Sequence, residues 1–450
     1  MSLGLGQIRA ALEGAIPAVM ATCAVDGEPN VAFLSQVRYV DEHHVALSYQ
    51  FFNKTRRNIL ANPFTQLTVI DPHTAQLYRM RLHYLRTESS GALFEQMKAH
   101  LEGIASHTGM SGVFHLLGSD IYRVSDIEAV PGSTLPAPEI PRNPLPRLRT
   151  ASEAVAACTD FGALVDTTLD ILARNFDVEH AIFLMSDEAG KRLYTVGSRG
   201  YAASGVGSEI AVGEGVIGVC AQARTAIRIS WLTQAYRYSC AIRDLTVLDG
   251  QGNTLKTEIP YPGLTDPHSQ LGLPMLRAGH LVGVLFVEST QDLRFTYDHE
   301  DALMTLAGHV AACVDAMREA HETLIETDYQ TPATAPLVAS GAPLQVRCYK
   351  GTSSIFFDDQ YIIKGVAGAI LWRLLGDHVS TGRTEFSNRE LRLDPSIRLP
   401  DVVDNLEARL ILLRRRLAEQ DMGITLEKCG RGRLRLLANR RLELTEVSSA

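Results

Sequence analysis

Between residues 131 and 150 the chain reads PGSTLPAPEIPRNPLPRLRT, and no other stretch constrains the fold as much. Proline fixes φ and has no N–H to donate, so a run this rich in it predicts neither helix nor central strand but a semi-rigid spacer. A second break, TDYQTPATAPLVASGAP at 327–343, is small, polar and proline-bearing, and separates a long helical pattern from a strand-rich one. A chain of 450 residues is also too long for one hydrophobic core. The breaks therefore predict a multidomain α+β protein: a unit over 1–130, a linker over 131–150, a unit over 151–320, a linker over 321–342 and a last unit over 343–445.

Charge is shared unevenly among these units. The net charge is -8, yet Lys+Arg number 25 against 37 Asp+Glu in 1–340 and 18 against 14 in 341–450. A basic module tied to an acidic remainder is the pattern expected when only that module meets phosphate. The seven cysteines lie far apart, with no C-x-x-C pair, which predicts a reducing, cytoplasmic compartment without a disulfide framework and no metal site. No run of about 18 apolar residues exists to span a bilayer, so no membrane partner is expected. The start, MSLGLGQIRAALEGAIPAVMATCAVDG, is interrupted by Glu13 and Pro17, while Leu5, Ile8, Leu12 and Ile16 recur at helical spacing. That predicts a short amphipathic helix entering a strand rather than a secretory leader. The motifs G-x-S-x-G, G-x-x-x-x-G-K-[ST] and H-E-x-x-H are absent, and no catalytic constellation is predicted.

Residues 16–80 alternate as strands separated by the turn signals DGEP and DEHH, with FFNKTRRNILANPFTQLTVID placing a short helix between two strands. Over about 10–130 this resembles the FMN-binding split barrels related to pyridoxamine 5'-phosphate oxidase. The resemblance implies that Asn53, Lys54, Thr55, Arg56 and Arg57 meet a flavin phosphate at the helix start, where unpaired N–H groups suit an anion. It also implies a homodimer, because split barrels generally build the flavin site between two subunits. The strand PNVAFLSQV lacks the Arg and Lys that the oxidases carry there, which argues against oxidase chemistry. A solvated basic helix start, a haem held by His43, His44, His83 or His107, and no cofactor at all stay open beside FMN.

Residues 151–320 carry, in order, FGALVDTTLDILARNF, EHAIFLMSDEAGKRLYTVGSRGY, VGEGVIGVCAQARTAIRI, SQLGLPMLRAGHLVGVLFVES and FTYDHEDALMTLAGHVAACV. These resemble the landmarks of a GAF domain, an α/β sensor fold, which implies a small-molecule ligand. Trp231, Tyr236, Tyr238 and Cys240 lie in the long segment where such folds wall off the ligand. Packing of the insertion on its own sheet, with a buried inert thiol, is the alternative.

The last unit opens with LQVRCYKG and SIFFDD, continues through helices near 365–376, 387–392 and 401–419, and closes with the hairpin ITLEKCGRGRLRLLA. It resembles the winged helix-turn-helix of response-regulator transcription factors, without their receiver domain. Val403, Leu406, Leu410, Leu413 and Leu417 share one face of the long helix. Asn405, Arg409, Arg415 and Arg416 are left for double-stranded DNA, with Arg431, Arg433 and Arg435 on one side of the wing. These readings predict a ligand- or redox-responsive transcription regulator. A flavin-dependent oxidoreductase with regulatory domains, or a signalling scaffold that binds no DNA, are the alternatives.

Overall fold

Alternation of apolar and polar residues builds the first sheet, and the computed structural model describes residues 3–12, 16–34, 36–50, 53–107, 115–136, 143–187, 189–229, 259–323, 343–397, 406–430 and 432–447. Leu5, Ile8 and Leu12 are buried in a 3-10 helix over Leu5–Leu12. There follow β1 (Ala18–Cys23), β2 (Pro29–Leu34), β3 (Val37–Asp41), β4 (His44–Tyr49), α1 (Lys54–Ala61), β5 (Phe64–Ile70), β6 (Leu77–Glu88), α2 (Ala92–His107) and β7 (Gly118–Ala129). The strands form one antiparallel sheet in the order β2-β1-β5-β6-β7-β4-β3. Met20, Leu47, Leu67, Met80 and Leu82 face its core.

One expectation for the proline-rich stretch is corrected: helix α3 (Pro144–Ala156) begins inside it. Pro144 and Pro146 fall in the first turn, where N–H groups have no intrahelical partner to lose, and the Asn143 side chain accepts from Leu145 N. Next come α4 (Phe161–Phe176), β8 (His180–Ser186), β9 (Arg192–Arg199), β10 (Glu209–Ala211), α5 (Gly215–Ala223), β11 (Ile227–Ile229), β12 (Ser269–Arg277), β13 (His280–Ser289) and α6 (Tyr297–Thr323). The sheet order is β10-β9-β8-β13-β12-β11. Phe183, Leu273 and Leu285 point to the side of α3, α4 and α6, whereas Ile182, Leu184 and Phe286 pack with α5 on the other.

The first unit leans on this second face. Ala99 of α2 joins the α5 cluster, and a Cβ on Gly103 would meet Ile227 Cγ2 at 2.7 Å, so α2 approaches β11 as closely as a glycine permits. Beside it the Arg9 guanidinium stacks 3.9 Å from the Tyr297 ring, and Arg228 Nε bonds Glu300 at 2.8 Å.

The last unit contains β14 (Leu344–Tyr349), β15 (Ser354–Phe357), β16 (Gln360–Ile363), α7 (Gly365–Thr381), β17 (Glu385–Ser387), α8 (Asn388–Leu393), α9 (Leu406–Gln420), β18 (Ile424–Gly430), β19 (Arg433–Ala438) and β20 (Leu442–Val447). Two sheets result, β16-β15-β14-β20 with β14 and β20 parallel, and β17-β19-β18. Ser387 caps α8 by accepting from Glu390 N. Leu406, Leu413 and Leu417 are buried as the apolar spacing predicts. No helix among the described residues is long and apolar enough to cross a membrane.

Candidate functional site

Tyr49 at the end of β4 and Asn53 at the start of α1 border a cavity of about 360 Å³ in the first unit, within the size range of small-molecule pockets. Met20, Leu47 and Ile59 give it apolar walls, and Asn53, Thr55 and Arg56 bring the start of α1 to it. Lys54 and Arg57 do not line it. Asn53 serves as the helix N-cap, accepting from Arg56 N at 3.1 Å. Thr55 Oγ1 accepts from Asn30 Nδ2 at 2.9 Å. The Lys54 ammonium pairs with Glu28 at 2.7 Å.

Arg56 is held from several sides. Its Nη1 donates to both Asp120 carboxylate oxygens at 2.7 Å, its Nη2 donates to Thr87 Oγ1 at 2.7 Å, and its guanidinium lies 4.3 Å from the Tyr49 ring centre. Thr87 Oγ1 in turn donates to Asp120 at 2.5 Å. Burial pushes the Asp120 carboxyl upward, against the pull of Thr87 and Arg56. Arg56 stands out in the sequence, whereas its partner Asp120 does not. A carboxylate directly before the apolar pair Ile121 and Tyr122 was the available signal.

Of the histidines, His44 bonds Asp41 at 2.8 Å, His43 stacks edge-on to His44 and His83 packs on Phe64, while the His107 side chain lies outside the described residues. The described residues hold no group of three His, Cys, Asp or Glu arranged to bind a metal.

In the second unit Trp231, Tyr236, Tyr238 and Cys240 all lie outside the described residues. On the α5 side of the sheet the structure shows a polar cluster that the sequence reading did not find. Glu288, 1% exposed, accepts from Tyr201 Oη at 2.9 Å, from Leu264 N at 2.7 Å and from Gln270 Nε2 at 3.0 Å. Burial raises the Glu288 carboxyl, opposed by these three donors. Its signal was a lone acid in the apolar run GVLFVES. Cys220, on α5, is fully buried and its thiol is pushed up accordingly.

In the last unit Asn405 and Arg431 fall outside the described residues. Arg433 and Arg435 alternate with the buried Leu434 and Leu436 on β19, and Arg435 pairs with Glu385 at 2.7 Å. Arg433 borders an open crevice of about 440 Å³ with Arg383, Ser387 and Arg389. Arg409, Arg415 and Arg416 are not brought together with these. Arg416 donates to the carbonyls of Ile362 and Tyr361. Arg409 and Arg415 are turned to the second unit, Arg409 lying 3.8 Å from the Tyr194 ring centre and Arg415 bonding Val196 O at 2.8 Å and Asp166 at 2.6 Å.

A cavity-bearing barrel packed on an α/β sheet with helices on both faces fits a sensory or regulatory protein. Residues 5–111 match the family model described as pyridoxamine 5'-phosphate oxidase, and residues 158–315 match that of the GAF domain. The chain thus contains an oxidase-type split barrel followed by a GAF domain. Among solved structures, an FMN-binding protein from Syntrophomonas wolfei subsp. wolfei is 15% identical over 28% of this chain and 88% of its own, with a TM-score of 0.24. The GAF domain of the Acinetobacter phosphoenolpyruvate-protein phosphotransferase is 18% identical over 42% of this chain and 100% of its own, at 0.31. A free methionine-R-sulfoxide reductase from Neisseria meningitidis in complex with its substrate is 18% identical over 40% of this chain and 96% of its own, also at 0.31. No curated protein matches.

Proposed function

We propose that this chain is a cytoplasmic, homodimeric transcription regulator in which barrel and GAF domain sense a ligand or redox state and the last unit is a winged helix that binds double-stranded DNA. The observation that carries the reading is the order of elements after α7. A short capped helix, a long helix and a two-stranded hairpin rest on a strand platform, within residues 341–450, where Lys+Arg number 18 against 14 Asp+Glu. Arg433, beside Arg383 and Arg389 on the open crevice, would meet the phosphate backbone.

Affinity for duplex DNA should therefore fall with salt. Each neutralised phosphate adds about 0.9 to the log-log slope, so roughly four contacts would weaken binding about 150-fold over a fourfold rise in salt. Arg433→Ala should lower that slope by about one, with Arg392→Ala as the charge control. Salt-independent association, or none, in fluorescence anisotropy would leave the scaffold alternative standing.

The barrel residues fit FMN in part. The cavity offers apolar walls for a ring system and Asn53 and Thr55 for the phosphate end, whereas Arg56 already serves Asp120 and Lys54 already serves Glu28. FMN, when bound, would supply electron-transfer chemistry. Beside the cavity the edge strand β2 exposes Val31 at 64% and Phe33 at 78%, and an unpaired apolar edge of this kind favours a second copy of the chain. Phe33 also lines the cavity. Phe33→Glu is accordingly expected to convert a dimer to a monomer in sedimentation and to reduce FMN uptake read by visible absorption. A variant that stays dimeric contradicts the assignment of this edge. The same cavity is what favours the second reading, a flavin-dependent oxidoreductase, which steady oxidation of a reduced nicotinamide by the purified chain would establish.

A further inference from the structure

Helix α9 has two faces, and both are covered. Leu406, Leu413 and Leu417 pack into the last unit, as an amphipathic helix requires. The remaining face, which carries Arg409 and Arg415 of the cations that the DNA-binding reading assigns to DNA, lies against α4 and β9 of the GAF domain, while Arg416 stays on Ile362 and Tyr361 of the last unit. Leu412 is 2% exposed and sits beside Gly207, and Ile411 sits beside Gly162. Arg409 stacks on Tyr194. Arg415 reaches past Gly197, where any Cβ would fall on its Nη1, to bond the Val196 carbonyl at 2.8 Å and Asp166 at 2.6 Å. Glu419 accepts from Ser204. The contact thus has an apolar centre, a stacked cation and a charged hydrogen bond to a backbone carbonyl of β9, which are the features of a specific interface rather than a grazing one.

We infer that this contact is an autoinhibitory latch: the GAF domain holds α9 by its reading face, so that GAF domain and duplex DNA compete for the same surface. The inference rests on the DNA-binding reading above and adds how that site is regulated. Competition follows from geometry. A helix whose outer face is seated on α4 and β9 cannot at the same time enter a major groove about 12 Å wide, so the apparent affinity for DNA is the intrinsic one multiplied by the fraction of molecules with the latch open. The latch also lies next to the sensing fold. Tyr194 and Val196 are on β9, the neighbour of β8 in the GAF sheet, and a shift of β9 would move the Arg415 acceptor and the Arg409 stacking partner together. By reciprocity, DNA that captures α9 would alter the GAF domain's affinity for its own ligand by the same factor.

Asp166 provides the test, because it lies on the GAF side, outside the proposed reading surface, and is largely exposed, so its replacement leaves the fold of both units intact. In the full-length protein Asp166→Arg removes the partner of Arg415 and sets two cations against each other. The expected result is duplex binding at least about tenfold tighter than wild type at equal salt, with faster amide hydrogen exchange across α9. Glu153→Arg, an equal charge change on exposed α3, is expected to leave both unchanged. Faster exchange without a gain in DNA affinity overturns the latch while leaving DNA binding in place, and so does unchanged exchange, or an equal gain from Glu153→Arg. If neither wild type nor Asp166→Arg binds duplex at low salt although α9 exchanges faster, the DNA-binding reading itself has failed and the latch fails with it.

Discussion

Asp120→Ala is expected to lower the unfolding free energy of the barrel by about 3–5 kcal/mol, the cost of leaving one member of a buried ion pair without its partner. The Arg56 and Asp120 side chains are 11% and 7% exposed, and Asp120 answers both Nη1 of Arg56 and the hydroxyl of Thr87. Without the carboxylate, the guanidinium keeps Thr87, Tyr84 and the Tyr49 ring face. Urea unfolding followed by a probe in the barrel measures the loss. The double replacement of Arg56 by Met and Asp120 by Leu is expected to recover most of it, because a desolvated pair seldom stabilises more than a well-packed apolar one. A loss below about 1 kcal/mol in the single variant would mean that water reaches the pair and that it behaves like a surface bridge.

Glu288→Ala should cost the GAF domain about 3 kcal/mol or more, since it deprives three donors, Tyr201 Oη, Leu264 N and Gln270 Nε2, of their acceptor at once. The pH dependence carries a second signature. Burial is the largest influence on Glu288 and raises its carboxyl above the ordinary glutamate value, so the folded state binds this proton more tightly than the unfolded one. Its contribution to stability is then fully present below the ordinary glutamate pKa and is lost as pH rises through the raised folded value. Glu288→Gln is expected to flatten that decline in unfolding experiments run across the acidic to neutral range. An unchanged slope would assign the titration to another group.

Much of the fold was legible because its signals are local. The strands of the barrel and of the GAF sheet follow the alternation of apolar residues, and α9 keeps its leucines at the spacing that buries them. The start of α3 was misread for a reason equally local. Proline breaks a helix interior, whereas in a first turn its missing N–H costs nothing. The sites were harder to read. Arg56 and Arg415 read in the sequence as cations available to ligands, whereas their partners Asp120 and Asp166 lie 64 and 249 residues away in sequence, and no periodicity reports a pairing at such distance. Glu288 shows the complementary clue, a single carboxylate within an apolar strand, which burial makes costly unless donors converge on it.

The seating of α2 on α5 and β11 bears on how the molecule can be divided. Residues 137–142 form a tempting place to cut, with a barrel before them and a GAF domain after. A fragment beginning there would lack Ala99 and its neighbours and would present the α5 cluster, with Val216, Ile217 and Val219, to water. Such a face promotes self-association, so the GAF piece would tend to precipitate or to oligomerise artificially, while the barrel piece would keep α2 seated by Phe94, Met97 and Leu101 but leave its Ala99 side uncovered. The two are not interchangeable cassettes joined by a tether. A GAF domain transplanted from this chain into another would need α2, or a substitute for it, to travel along.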